Sequence, residues 1–332
     1  MTRRNQNIEI ARFICAFMIV CIHVPLFCSP YIYPILRCAV PFFYILTGFF
    51  IYSEDISKSS SKFKKSLRHY AVLWVSNLVL LSLIAIILRF WVDDRSELLD
   101  IKDLIKFIRL GFCDFMSHVT ISSKTYNITN QLWYLYGGVV AIFILYVTRS
   151  KWFSRTYNVL VCLLAIVPII LSYVVSVKIP QFVYLSIPSI YLGICIKRYN
   201  HVLFELSTKQ ILTSIGISAV FVYTEYFLSV TLMNRIVACD AYIGTLILSS
   251  LLVIFTLRLP ETFKVRMGGA IPHQTSLDIY IWHQLVYVIL VGLLEIELFQ
   301  LDAIVVFIVS MLLSITYRHI KNYYENRNIN IS

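Results

Sequence analysis

Residues 8–28 read IEIARFICAFMIVCIHVPLFC, and their length and composition set the fold class. At 1.5 Å per residue, a helix of about 20 residues crosses the hydrocarbon core of a bilayer. The stretch keeps Glu9, Arg12 and His23 inside an otherwise apolar run, and no small-residue cleavage site follows it. It therefore reads as a retained membrane helix, not a removed signal peptide. Working outward, similar runs recur at 35–53, 69–91, 131–149, 157–176, 181–197, 210–231, 239–257, 275–294 and 302–319. The 332-residue chain is 59% hydrophobic and only 14% charged, whereas a soluble domain carries about a quarter charged residues. The sequence thus predicts an all-α, polytopic membrane bundle of ten helices in a single domain spanning 1–332.

The formal charge of +11 raises the question of nucleic acid, but the cations sit at segment ends and form no continuous face. Their one dense cluster runs from Lys58 to Arg68, too little for a phosphate-backbone footprint, so no nucleic-acid partner is expected. The placement sets orientation instead. Nineteen Lys and Arg lie at the N-terminus, in 58–68, 149–155, 197–209 and 258–266, and in the tail from Arg318. Seven lie in the opposite loops. The positive-inside rule puts the richer side, with both termini, in the cytoplasm, which requires an even number of crossings.

The long outer loop 92–130 contains Ile101, Leu104, Ile105, Ile108 and Phe112 at helical spacing opposite Lys102, Asp103, Lys106 and Arg109. That pattern suits a helix lying in the headgroup region, started by Asp100. It serves either as a lid over an outward-facing site or as a plain tether. The eight cysteines form no CxxC pair and read as small buried hydrophobes. Cys28 and Cys38 are placed to meet near the outer surface, but the sequence does not establish a disulfide between them.

Ionisable side chains in hydrocarbon are costly and turn toward a bundle interior or a wet cavity. Arg12 and His23, 11 residues apart, share one face of the first helix, and Glu9 is within pairing distance of Arg12. Glu9 and Arg12 fit either a site or interfacial snorkelling; His23 lies deeper. In the second run, Arg37 precedes Pro41, which permits a bend, and Thr47-Gly48 permits close helix approach. The third is entered through Lys62, Lys64, Lys65, Arg68 and His69, either as a topology signal or as an anion site for donor phosphates. The ninth carries Ser276, Asp278, Tyr280 and His283; Ser276 and His283 share a face, and Asp278 points elsewhere. No Walker-type loop, metal-spaced histidine pair or GxSxG elbow occurs, so no metal is expected.

Taken in order, these residues resemble the bacterial membrane-bound acyltransferases of family 3, including short O-acetyltransferases that modify cell-surface sugars. Glu9, Arg12 and His23 resemble the family's opening pattern. Arg37, Val40, Pro41, Phe42, Phe43, Thr47 and Gly48 are similar to its R-x-x-V-P-x-F-F-x-x-S-G pattern, with threonine for serine. Gln131-Leu-Trp133-Tyr-Leu resembles its LWFL segment, and Thr275 to His283 its S-x-x-I-Y-L-x-H segment. Two departures stand out: Asp278 replaces a small residue, and the basic entry is not a clean R-x-x-R repeat.

The resemblance implies a catalytic His23, with Arg37 and His283 in the active cavity and Lys65 and Arg68 at a cytoplasmic entry for acyl-CoA. Glu9, Arg12, Trp133 and Asp278 are then expected around the substrates. It further implies acetyl-CoA or another acyl-CoA as donor, a cell-envelope glycan or lipid-linked saccharide as acceptor, and a bacterial cytoplasmic membrane as location. A histidine tuned near neutral pH suits the removal of a sugar hydroxyl proton, and an inward-facing arginine suits the developing oxyanion. Whether His23 acts as base or as acyl carrier is open at this point. A polysaccharide or lipid-linked sugar exporter is the alternative; it predicts paired half-repeats, and none is evident.

Overall fold

The computed structural model describes residues 5–24, 26, 29–92, 118–121, 124–174, 182–233, 241–259, 275–296 and 301–329. Helices form over each of the ten apolar runs. They are α1 (Gln6–His23), α2 (Ser29–Leu36) with α3 (Ala39–Ile51), α4 (Ile56–Val92), α5 (Trp133–Thr148) and α6 (Arg155–Val174). There follow α7 (Ile187–Arg198), the short α8 (Asn200–Leu203), α9 (Thr208–Met233), α10 (Ile243–Arg258), α11 (Thr275–Tyr287) and α12 (Asp302–Ile329). π-helical turns lead into α7 at Phe182–Ser186 and continue α11 at Val288–Leu293. Among the described residues seven helical segments are long and apolar enough to cross a membrane, and the α6 and α10 runs are shorter apolar helices. The chain is an all-α, polytopic membrane bundle.

The departures from the expected boundaries have local causes. The first helix is shorter than its run: α1 stops at His23, and the backbone turns extended at Val24, next to Pro25, which restricts the residue before it. The second run is broken at Arg37-Cys38, between α2 and α3. The Cys38 amide bonds to the Ile35 carbonyl at 3.0 Å, and α3 starts with the Phe42 amide on the Cys38 carbonyl at 3.1 Å.

The basic stretch 58–68, expected as a loop, is helix. Asp55 caps it, accepting from the amides of Ser57 at 2.9 Å and Lys58 at 3.2 Å. Lysine is a good helix former, so a polar sequence with a good cap extends α4 below its apolar part. The Ser57 hydroxyl and these amides hold the exposed Asp55 carboxyl below its usual range. The tail past 319 likewise continues as helix. The interfacial helix expected around 101–112 lies outside the described residues. Within the same loop, β1 (His118–Ile121) and β2 (Lys124–Asn127) pair antiparallel, with His118 opposite Asn127. Cys38 is a free buried thiol, and Cys28 lies outside the described residues.

Helix α3 is the centre of the core, packed most extensively on α7. The contact is backbone against backbone: a Cβ at Gly48 would collide with the Ile190 carbonyl, and one at Gly193 with the Ile45 carbonyl. Small residues allow such approach in membrane bundles, where packing replaces the hydrophobic effect as the cohesive force. Ser249 of α10 donates to the Cys38 carbonyl at 2.8 Å and so ties α10 to the α2–α3 corner. Glu225, midway along α9, accepts from the Ile243 and Gly244 amides at 3.0 and 2.6 Å. A carboxylate thereby meets the positive end of the α10 dipole.

Candidate active site

Five helices enclose a cavity of about 250 Å³. Glu9, Arg12 and Ile19 reach it from α1, and the spacing of three and seven residues is that of one helical face. Phe43, Thr47 and Phe50 come from α3; Ser66, His69, Tyr70 and Leu73 from α4; Tyr134 and Leu135 from α5; Ser276, Leu277 and Tyr280 from α11. At the polar end the Arg12 guanidinium lies 3.7 Å from the Glu9 carboxylate.

The α4 wall carries a hydrogen-bonded chain. Thr47 Oγ1 lies 2.8 Å from the Tyr70 hydroxyl, which lies 3.2 Å from that of Tyr134. Tyr44 donates to the Tyr134 carbonyl at 2.7 Å. Gly138 makes the room for this: a Cβ there would come within 2.5 Å of the Tyr70 ring. Tyr280 donates to the Gln131 carbonyl, and Gln131 donates through Nε2 to the Ile281 carbonyl at 2.7 Å. The start of α5 is thereby locked to α11.

One turn beyond the cavity floor, two histidines meet. Ile19 and Tyr280 close the floor; His23 follows on α1 and His283 on α11, with ring centroids 5.4 Å apart and planes at 35°. His283 Nδ1 lies 2.8 Å from the Tyr280 carbonyl and 3.2 Å from that of Ile279. Both are acceptors, so Nδ1 carries the proton, and Nε2 presents a lone pair. That Nε2 is buried and has no hydrogen-bond partner among the described residues. Arg37, at the α2–α3 corner, stacks 4.4 Å above the Tyr33 ring and interacts electrostatically with His23.

The structure therefore brings His23, His283 and Arg37 to one place, and Glu9 and Arg12 to the opposite end of the adjoining cavity. Lys65 and Arg68 do not line that cavity; Ser66 and His69, their neighbours on α4, do. Trp133 packs half-buried against the core while Tyr134 and Leu135 face the cavity. Asp278, expected among the substrate-facing residues, is turned away. It accepts from Ser314 at 2.7 Å and from Arg318 Nε at 2.7 Å, with Arg318 Nη2 at 2.5 Å, and so joins α11 to α12. The tyrosine chain has no signature in the sequence: tyrosine occurs 22 times, and no spacing sets Tyr44 or Tyr70 apart.

Chemically, the histidine pair offers a proton acceptor beside a fixed positive charge. The cavity offers an apolar sleeve with one charged end. Among the described residues, no three His, Cys, Asp or Glu side chains are grouped to hold a metal ion. A family model described as an acyltransferase domain matches residues 5–319. No curated protein and no solved structure matches the chain.

Proposed function

This chain belongs to the acyltransferase domain family and is a membrane acyltransferase; from that premise we propose that it moves an acyl group, in the first instance acetyl, from acyl-CoA to a sugar hydroxyl. The acceptor is a cell-envelope polysaccharide or a lipid-linked saccharide. The enzyme is a single membrane-embedded domain in a bacterial cytoplasmic membrane, with both termini in the cytoplasm. The observation that carries this reading is the pairing of His23 with His283 one turn beyond a cavity whose other end holds Glu9 and Arg12.

In this scheme acyl-CoA enters from the basic end of α4, past Lys65 and Arg68. Its thioester passes along the cavity toward the floor formed by Ile19 and Tyr280. The sugar hydroxyl approaches from the histidine side. His23 takes the hydroxyl proton as the oxygen bonds to the thioester carbonyl carbon. Arg37 opposes the charge on the developing oxyanion. The intermediate collapses with loss of the CoA thiolate, which takes up the proton from His23 on leaving. His283 offers its Nε2 lone pair as the neighbour that steadies the charged His23.

The test is direct. Purified protein in nanodiscs is given acetyl-CoA labelled in the acetyl group and an envelope glycan fraction, and ester-linked label on the glycan is measured by mass spectrometry. Transfer is expected, with binding of acetyl-CoA weakened about tenfold in a Lys65→Ala/Arg68→Ala double variant, a difference of about 1.4 kcal/mol. Absence of acetyl-CoA binding to the wild type would overturn the donor assignment. Binding without transfer to any envelope glycan would overturn the acceptor assignment.

A further inference from the structure

Away from the cavity just described, α6 and α7 part to leave a groove of about 250 Å³. Val161, Ala165 and Ile166 form one wall and Pro188 and Leu192 the other. Cys162, at its opening, is exposed. The outward face of α6 carries Val159, Leu160, Leu163, Val167 and Ile170, all well exposed. In a membrane helix that surface contacts lipid chains.

At one end the groove meets a polar pocket lined by Tyr52, Glu54, Arg198, Tyr199 and His201, with Tyr199 common to both. The Arg198 guanidinium stands 4.1 Å over the Phe153 ring, and Lys197 4.8 Å over Phe49. Phe153 itself is held in the left-handed region, at φ 65°, a strained conformation for a bulky side chain. Its amide donates to the Tyr191 hydroxyl at 3.0 Å, and Tyr191 donates to Asn158 Oδ1 at 2.6 Å. This bracing fixes an aromatic shelf under a cation at the mouth of an apolar slot.

We infer that this groove is a binding site for one anionic phospholipid, with an acyl chain between α6 and α7 and its phosphate on Arg198. An apolar channel ending at a stacked guanidinium matches the amphipathic shape of a lipid, and basic pockets between membrane helices select anionic headgroups. Glu54 lines the same polar pocket as Arg198. The carboxylate disfavours a second phosphate and leaves room for a singly charged headgroup. The site is separate from the histidine pair, so it stands or falls independently of the transfer reaction.

The test uses the full chain, delipidated in detergent and then offered phosphatidylglycerol or phosphatidylcholine of identical chains, with retained lipid counted by native mass spectrometry. Phosphatidylglycerol is expected to be held about tenfold better, a difference of about 1.4 kcal/mol. Arg198→Gln should remove that preference without reducing phosphatidylcholine, and Cys162→Phe, which fills the slot, should reduce both. If Cys162→Phe does not elute as a single folded species, Ile166→Trp blocks the same groove from a side chain that is 37% exposed. Equal retention of the two lipids by the wild type would overturn the proposal. So would unchanged retention in both variants, or competition by glycerol phosphate that persists with the slot blocked, which would mark a soluble-anion site. A second copy of the chain occupying the groove, seen as a dimer that excludes lipid, would overturn it as well.

Discussion

Two of the ion pairs in this bundle serve different ends. Asp278 and Arg318 join α11 to α12 at 2.5 Å, with Ser314 completing the carboxylate's shell. Glu9 and Arg12 sit one turn apart on α1 at 3.7 Å and face a cavity. Both satisfy the rule that charge inside a membrane turns inward. The first is consumed by protein partners, and the second has open volume in front of it. Polarity in an apolar helix therefore marks an interior face, and the open volume in front of a pair separates a site from a clamp.

The comparison makes predictions that run from the clamp to the cavity. The largest effect belongs to Asp278→Leu, which leaves Arg318 without its carboxylate. The two side chains are 15% and 18% exposed, so the loss should be about 3 kcal/mol, the low end of the range for breaking a buried pair, read as a lowered midpoint of thermal unfolding in detergent. Asp278→Leu with Arg318→Leu should recover most of that loss, and a neutral single variant would break the distinction at once. Next comes Gly48→Ala, which drives a methyl group into the Ile190 carbonyl. It should cost about 3 kcal/mol by overpacking, with a reduced yield of monodisperse protein.

Glu225→Gln sharpens the comparison with a third kind of buried carboxylate, one bonded to a helix end. It keeps the shape but loses the charge on the Ile243 and Gly244 amides, for about 1–2 kcal/mol of stability, with transfer by the folded fraction unchanged. The smallest stability effect falls to Glu9→Gln, under about 1 kcal/mol, as for a partly solvated pair. Its signature is kinetic: the KM for the acyl donor should rise about fivefold, equivalent to about 1 kcal/mol. A Glu9 variant as unstable as Asp278→Leu would place both pairs in one class.

Much of the bundle is legible in the sequence because a bilayer imposes a length on every apolar run. The ten runs all appear as helices, and the shared face of Glu9, Arg12 and His23 follows from 3.6 residues per turn. Gly48 reads correctly as a point of close approach because its chemistry admits little else. What stays hidden is whatever depends on a cap or on a partner from another helix. Asp55 turned an expected basic loop into the first turns of α4, and a few polar residues gave no apolar period to reveal it. The meeting of His23 with His283 needs the crossing of α1 and α11, which no spacing encodes. The Thr47–Tyr70–Tyr134 chain is drawn from three helices and from a residue type too common to stand out. Glu225 was readable in principle as a lone carboxylate within a span, but its partners are backbone amides that carry no sequence signal.

The central claim is that acyl transfer runs through the histidine pair at the floor of the cavity, with His23 as the proton acceptor. It is tested most directly by measuring acetyl transfer from acetyl-CoA to envelope glycan with His23→Ala and wild-type protein at matched folded amounts in nanodiscs. Loss of a positioned base predicts a fall of about 100-fold or more, with acetyl-CoA binding retained. Transfer at the wild-type rate by the folded His23→Ala protein would contradict the account.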